Sequence, residues 1–243
     1  MTDNRLRAPA RLRWVGALAF AWLAAVGFSQ TDTVYSVSLQ RLTVTTTVDI
    51  GAGPTAHAFY VTDGGQWLGE VGTVPWRAAV AQAVDTTAAR VRLVFVHNVD
   101  AATGATTREA DFFRNPAYVR YFRDELLGGA DPTVGRTLVG ISFGGLNAAY
   151  FSTQAPQLFD GYALLSPITY PRPAVREDVA FAKTRPASVL LTTGRHDAER
   201  YVEVLAGLYR GRGWPTETLS TDGAHDFANW AGRLVWVVAW AMG

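Results

Sequence analysis

The sequence has 243 residues, 49% of them hydrophobic and 18% charged, which excludes a disordered chain and allows one large core. A formal net charge of +1 supplies no basic surface of the kind nucleic acid requires, so no nucleic-acid partner is expected. Cysteine is absent, which excludes disulfides, a lipid-modified cysteine, a cysteine nucleophile and thiolate metal sites.

Arg5, Arg7, Arg11 and Arg13 lead into an apolar, uncharged stretch over residues 14–28. A basic segment, an apolar segment and small residues before a cut (here Ala25 and Gly27) describe a secretory signal over residues 1–29. The stretch is shorter than the roughly 20 residues of a spanning helix. Export to the periplasm or the exterior is therefore expected, and an uncut signal would instead anchor the chain in a membrane.

Residues 30–243 read as one domain. Residues 34–39 and 42–50 alternate as half-buried strands of an antiparallel start, and 56–62 form a further strand ended by Asp63-Gly64-Gly65. A helix follows near 75–84, with Pro75 in its first turn. Strands are predicted at 91–96, 137–141, 162–166, 189–193 and 217–220. Between them, helices are predicted at 116–127, within 146–159, at 174–183 and at 198–210. A last helix carries Phe227, Trp230, Ala231, Leu234 and Val238 on one face. Strands alternating with helices imply βαβ units around a mostly parallel sheet with helices on both faces. In such sheets the ligand site lies beyond the carboxyl ends of the strands, so chemistry is sought in residues that end strands.

The strand at 137–141 runs into Gly140-Ile141-Ser142-Phe143-Gly144, a match to G-x-S-x-G. A nucleophile on a sharp strand-to-helix turn needs small neighbours, and the two glycines provide them. Ser142 is the expected nucleophile. A neutral hydroxyl needs a base, and the order Ser, acid, His leaves His196 and His225 of the four histidines. His225 is preferred, because it follows the final strand in a loop ahead of the closing helix. The acid is expected to be Asp197, just past the strand at 189–193, with Glu199 and then Asp222 as alternatives. The oxyanion hole is assigned to the backbone N–H groups of Phe143 and of Gly65, the latter in the loop Asp63-Gly64-Gly65-Gln66-Trp67.

Residues 60–64 (YVTDG), 140–148 (GISFGGLNA) and 225–230 (HDFANW) resemble the esterase D/enterochelin esterase-like family of α/β-hydrolases. The segment Arg108-Glu109-Ala110-Asp111 also resembles that family's R-x-x-D/E loop before a helix. The resemblance spans roughly residues 34–243 and implies the α/β-hydrolase fold, without a large cap domain. It also implies a serine carboxylic-ester hydrolase acting through an acyl-enzyme. Two departures stand out: Asp197 occupies a turn where many members have Glu, and Gly65 extends the Asp-Gly pair. Ile141 and Phe143 replace the His and Met typical of formylglutathione hydrolases. A small or polar extracytoplasmic ester of siderophore, carbohydrate or aryl type is the expected substrate. Acyl transfer to an alcohol, or a ligand-binding homologue without turnover, are the alternatives. The mechanism needs neither a metal nor an organic cofactor. Oligomeric state is not legible. Between the strand ending at Ser166 and the helix from Ala174 only residues 167–173 intervene, too few for a helical lid. An open site rimmed by residues 108–113 and the Trp67 region is expected.

Overall fold

The computed structural model describes residues 29–169 and 174–243. The predicted export signal lies outside the described residues except for Ser29, which opens the first strand. Residues 170–173 of the connection read as too short for a lid also lie outside them. Among the described residues, no helix is long and apolar enough to cross a membrane.

Eight strands form one sheet: β1 (Ser29–Ser36), β2 (Arg41–Ile50), β3 (Thr55–Val61), β4 (Arg90–His97), β5 (Gly135–Ile141), β6 (Gly161–Leu165), β7 (Val189–His196) and β8 (Thr216–Ala224). Their spatial order is β1-β2-β4-β3-β5-β6-β7-β8. The β1–β2 and β2–β4 pairs are antiparallel, and every pairing from β4 to β8 is parallel. This is the α/β-hydrolase fold expected from the sequence.

The central strands are buried on both faces, and their side chains divide by the two-residue period of a strand. Tyr60, Leu138, Leu164 and Leu191 face a core shared with α4 (Pro116–Arg120), α5 (Phe143–Gln154), α6 (Ala174–Phe181) and α7 (Glu199–Gly211). Phe59, Val139, Leu165 and Leu190 face the opposite core, built with α1 (Gly64–Glu70), α2 (Val74–Ala83), α8 (Phe227–Gly232) and α9 (Leu234–Met242). Each fully buried large side chain contributes about 1.5–3 kcal/mol to such cores.

Several elements differ from their sequence reading. The segment after Asp63, expected as an open loop, is α1, and its Trp67 is buried in the second core, away from any rim. Gly64 permits this, because α1 lies against β4: a Cβ at Gly64 would stand 2.6 Å from the Phe95 carbonyl carbon. The R-x-x-D segment is itself a short helix, α3 (Arg108–Phe112). The helix predicted at 116–127 is α4 continued by a π-helical turn, Tyr121–Leu126. The closing helix is broken into α8 and α9 at Arg233. The last strand is longer than expected, because its pairing with β7 continues to His196 and Ala224.

Candidate active site

Ser142 stands between the end of β5 and the first turn of α5, with φ 53° and ψ −115°. Positive φ in a residue bearing a Cβ is strained, and the surrounding packing holds it there. The two elbow glycines are required by close approach. A Cβ on Gly140 would meet the Gly144 carbonyl oxygen at 2.0 Å, and one on Gly144 would meet Thr62 Oγ1 at 2.6 Å.

The structure brings together three of the predicted residues from three different strand ends. The Ser142 hydroxyl lies 3.0 Å from His225 Nε2, and His225 Nδ1 lies 2.5 Å from Asp197 Oδ1. With an ionised carboxylate at one end, Nδ1 is the protonated nitrogen and Nε2 faces the hydroxyl as acceptor. His225 follows β8, and Asp226 caps α8 by accepting from the Asn229 N–H at 2.8 Å, which fixes the chain direction there. The His225 ring also stands edge-on to Trp230, 4.9 Å between centroids.

Asp197 follows β7 and its side chain is fully buried, whereas His225 keeps one face open to solvent. Burial by itself would raise the Asp197 carboxyl. Hydrogen bonds from His225 and Ser166, with the charges of His225 and Arg233, outweigh it and hold the group below its usual range. The alternatives lie elsewhere. Glu199 is met by the Ser220 hydroxyl at 3.4 Å, and His196 and Asp222 form an exposed pair 3.7 Å apart.

Phe143 and Gly65 both lie in the first turn of a helix, α5 and α1, where backbone N–H groups have no partner within the helix. Gly65 packs over His97, and its neighbour Gln66 forms part of the cleft wall. That cleft, of about 370 Å³, contains Ser142 and His225 and is bordered by Gln66, Arg108, Phe227 and Trp230. A larger hollow of about 450 Å³, between α5 and α6, contains none of the predicted site residues.

One wall is set by charge. Both Asp63 oxygens accept from Arg108 Nε, at 2.8 and 2.9 Å, and the guanidinium lies 5.1 Å from the Phe143 ring centre. Burial pushes Asp63 up to about 6 despite this partner. Behind it, the Asp63 N–H donates to Asn98 Oδ1, and Asn98 Nδ2 donates to Asp111 and Tyr118. Arg41 completes the network on Asp111. Thus Asp63, Arg108 and Asp111, read only as a resemblance, act as one scaffold beneath the cleft.

Two residues touching Asp197 were missed in the sequence. Ser166, which follows β6, donates to Asp197 Oδ2, and the fully buried Arg233 stands 3.7 Å from the same oxygen. The available signal was a lone charge in the apolar run that closes the chain. Among the described residues, no group of three or more His, Asp or Glu side chains is arranged to hold a metal ion.

The family model described as "Putative esterase" matches residues 49–241. No curated protein matches the sequence. Among solved structures, the enterobactin esterase FES from Shigella flexneri superposes with a TM-score of 0.71 at 18% identity, covering 87% of this chain. This chain spans only 58% of that protein's length. A ferulic acid esterase gives a TM-score of 0.64 at 15% identity, with 89% of this chain and 97% of that one covered. The siderophore hydrolase EstB from Aspergillus nidulans gives 0.63 at 15% identity, with 87% and 93% covered. The likenesses agree with the α/β-hydrolase fold, and the family match covers most of the sequence: the chain belongs to this esterase family.

Proposed function

We propose that the chain hydrolyses its ester through a Ser142–His225–Asp197 triad and an acyl-enzyme. The observation that carries this reading is the continuous hydrogen-bonded path from Ser142 Oγ through His225 to Asp197, at 3.0 and 2.5 Å. Ser142 Oγ attacks the ester carbonyl carbon while His225 Nε2 takes the hydroxyl proton. The N–H groups of Phe143 and Gly65 hold the resulting oxyanion. On collapse, His225 gives the proton to the leaving alcohol, and the acyl group stays on Ser142. Water then repeats the sequence, its proton going to His225, and the acid and free serine are released.

The substrate is a small or polar ester, with an aryl ester of siderophore or phenolic type favoured. Phe227 and Trp230 offer an aromatic wall, and Arg108 adds a cation that suits an acidic or phenolic substituent. Similar structures include an enterobactin esterase, a siderophore hydrolase and a ferulic acid esterase. The arginine-led apolar segment supports action outside the cytoplasm.

The test is labelling of Ser142 by a fluorophosphonate probe, followed by a panel of p-nitrophenyl esters of rising chain length beside aryl and catechol-bearing esters. Labelling at Ser142 and faster turnover of aryl esters are expected. A protein that resists the probe and hydrolyses none of the panel would defeat the reading. Fractionation of cells expressing the full chain tests export.

A further inference from the structure

The run that closes the chain, residues 227–242, contains one charge, Arg233, at the joint between α8 and α9. Its side chain is wholly buried. An arginine brought out of water is costly unless its donors and its charge are met. Nη1 donates to Ser166 Oγ and Thr192 Oγ1, each at 3.1 Å, and Nε donates to Thr221 Oγ1 at 3.1 Å. Among the described residues Nη2 makes no hydrogen bond of ordinary length, and it faces Asp197 Oδ2 at 3.7 Å.

Ser166 links the two charges. Its Oγ lies 2.9 Å from Trp230 Nε1 as well as 3.1 Å from Arg233 Nη1. Both neighbours can only donate, so the one hydroxyl proton of Ser166 must go to Asp197 Oδ2. The residue is held at φ 48° at the end of β6, with its N–H on the Thr192 carbonyl at 2.7 Å. A strained, fully engaged serine has one available orientation.

We propose that Arg233, acting with Ser166, is a positioning residue that fixes Asp197 and balances its charge, so that His225 sheds its proton and works as a base at lower pH. This rests on the triad reading above. An unbalanced carboxylate would hold the imidazolium more tightly and keep the base occupied in mildly acidic solution. The other charged groups around the site are few. Asp226 follows His225 and also acts on Arg233, Arg108 faces the cleft from α3 against Asp63, and the His196–Asp222 pair is exposed. None of them touches Asp197 Oδ2, where Ser166 and Arg233 converge.

The experiment uses the full chain and follows the rate of fluorophosphonate labelling of Ser142 against pH, which requires no knowledge of the natural ester. In Arg233→Met the acid limb of the profile should move up by about half to one pH unit, as expected when one nearby balancing charge is lost. Arg233→Lys should return most of that shift, and Ser166→Ala should move the limb the same way by less. If Arg233→Met does not fold, as judged by circular dichroism, Ser166→Ala and Arg233→Lys decide the matter. Rates that fall while every limb stays at its wild-type pH would overturn the proposal and leave Arg233 a packing residue. A wild-type protein that the probe never labels would instead bring down the triad reading, and the proposal with it.

Discussion

Asp63 presents both carboxylate oxygens to one nitrogen of Arg108, at 2.8 and 2.9 Å, and so ties the end of β3 to α3 beneath the cleft. The grip depends on Asp63 being ionised, yet burial raises its pKa from 3.8 to about 6.

A stability signature follows. Between those two values the folded chain keeps a proton on Asp63 that the unfolded chain has lost. The contribution to folding is fully present below about 3.8 and is lost as pH rises through about 6. Asn at this position cannot ionise. Asp63→Asn should therefore gain on wild type as pH rises from 4 to 7, by roughly 5 °C in Tm. A Tm difference that stays constant across that range would show that Asp63 does not titrate there.

Ser142→Ala should remove turnover, by about 10⁴-fold or more, and leave the Tm nearly unchanged. Alanine accepts the same backbone strain as serine, and the hydroxyl's hydrogen-bond partner is the partly exposed His225. Retention of a tenth of wild-type activity in a p-nitrophenyl acetate assay would move the nucleophile elsewhere.

For base and acid, the order of effects is the test. His225→Ala should cost about as much as Ser142→Ala, and His196→Ala should stay within about threefold of wild type. Asp197→Asn should lower kcat by about 10³–10⁴-fold while Glu199→Gln changes it little. The geometry behind this is plain: Asp197 is buried against His225, whereas Glu199 is met by a surface serine. Reversed orders in either pair would reassign the role.

The elements with a strict local requirement were legible in the sequence. Ser142 could be read because glycines at 140 and 144 have no substitute under their neighbours' backbone and side chains. Asp197 and His225 followed from the rule that chemistry collects at strand ends. By contrast, Gly64 and Gly65 read as a turn but open a helix, because tight packing on β4 needs glycine as much as a turn does. Trp67 looked like a rim residue for the same reason and is core. The lone charge marked Arg233 but not its partner, and Ser166 carried no mark at all, since the contact between them joins residues 67 apart in the chain. A lone charge in an apolar run carries no local sign of the carboxylate it will meet.

The division of the core by the sheet bears on how the proposed activity should fail. The helix that follows Ser142 belongs to one layer, and the helix that follows His225 belongs to the other. The 3.0 Å contact between them is therefore a gauge of how the two layers sit across the strands. A slide of a single ångström would break this contact while every strand stayed paired. Warming should accordingly extinguish esterase activity several degrees before the far-ultraviolet circular dichroism signal melts. Two coincident curves would mean that the layers never move independently.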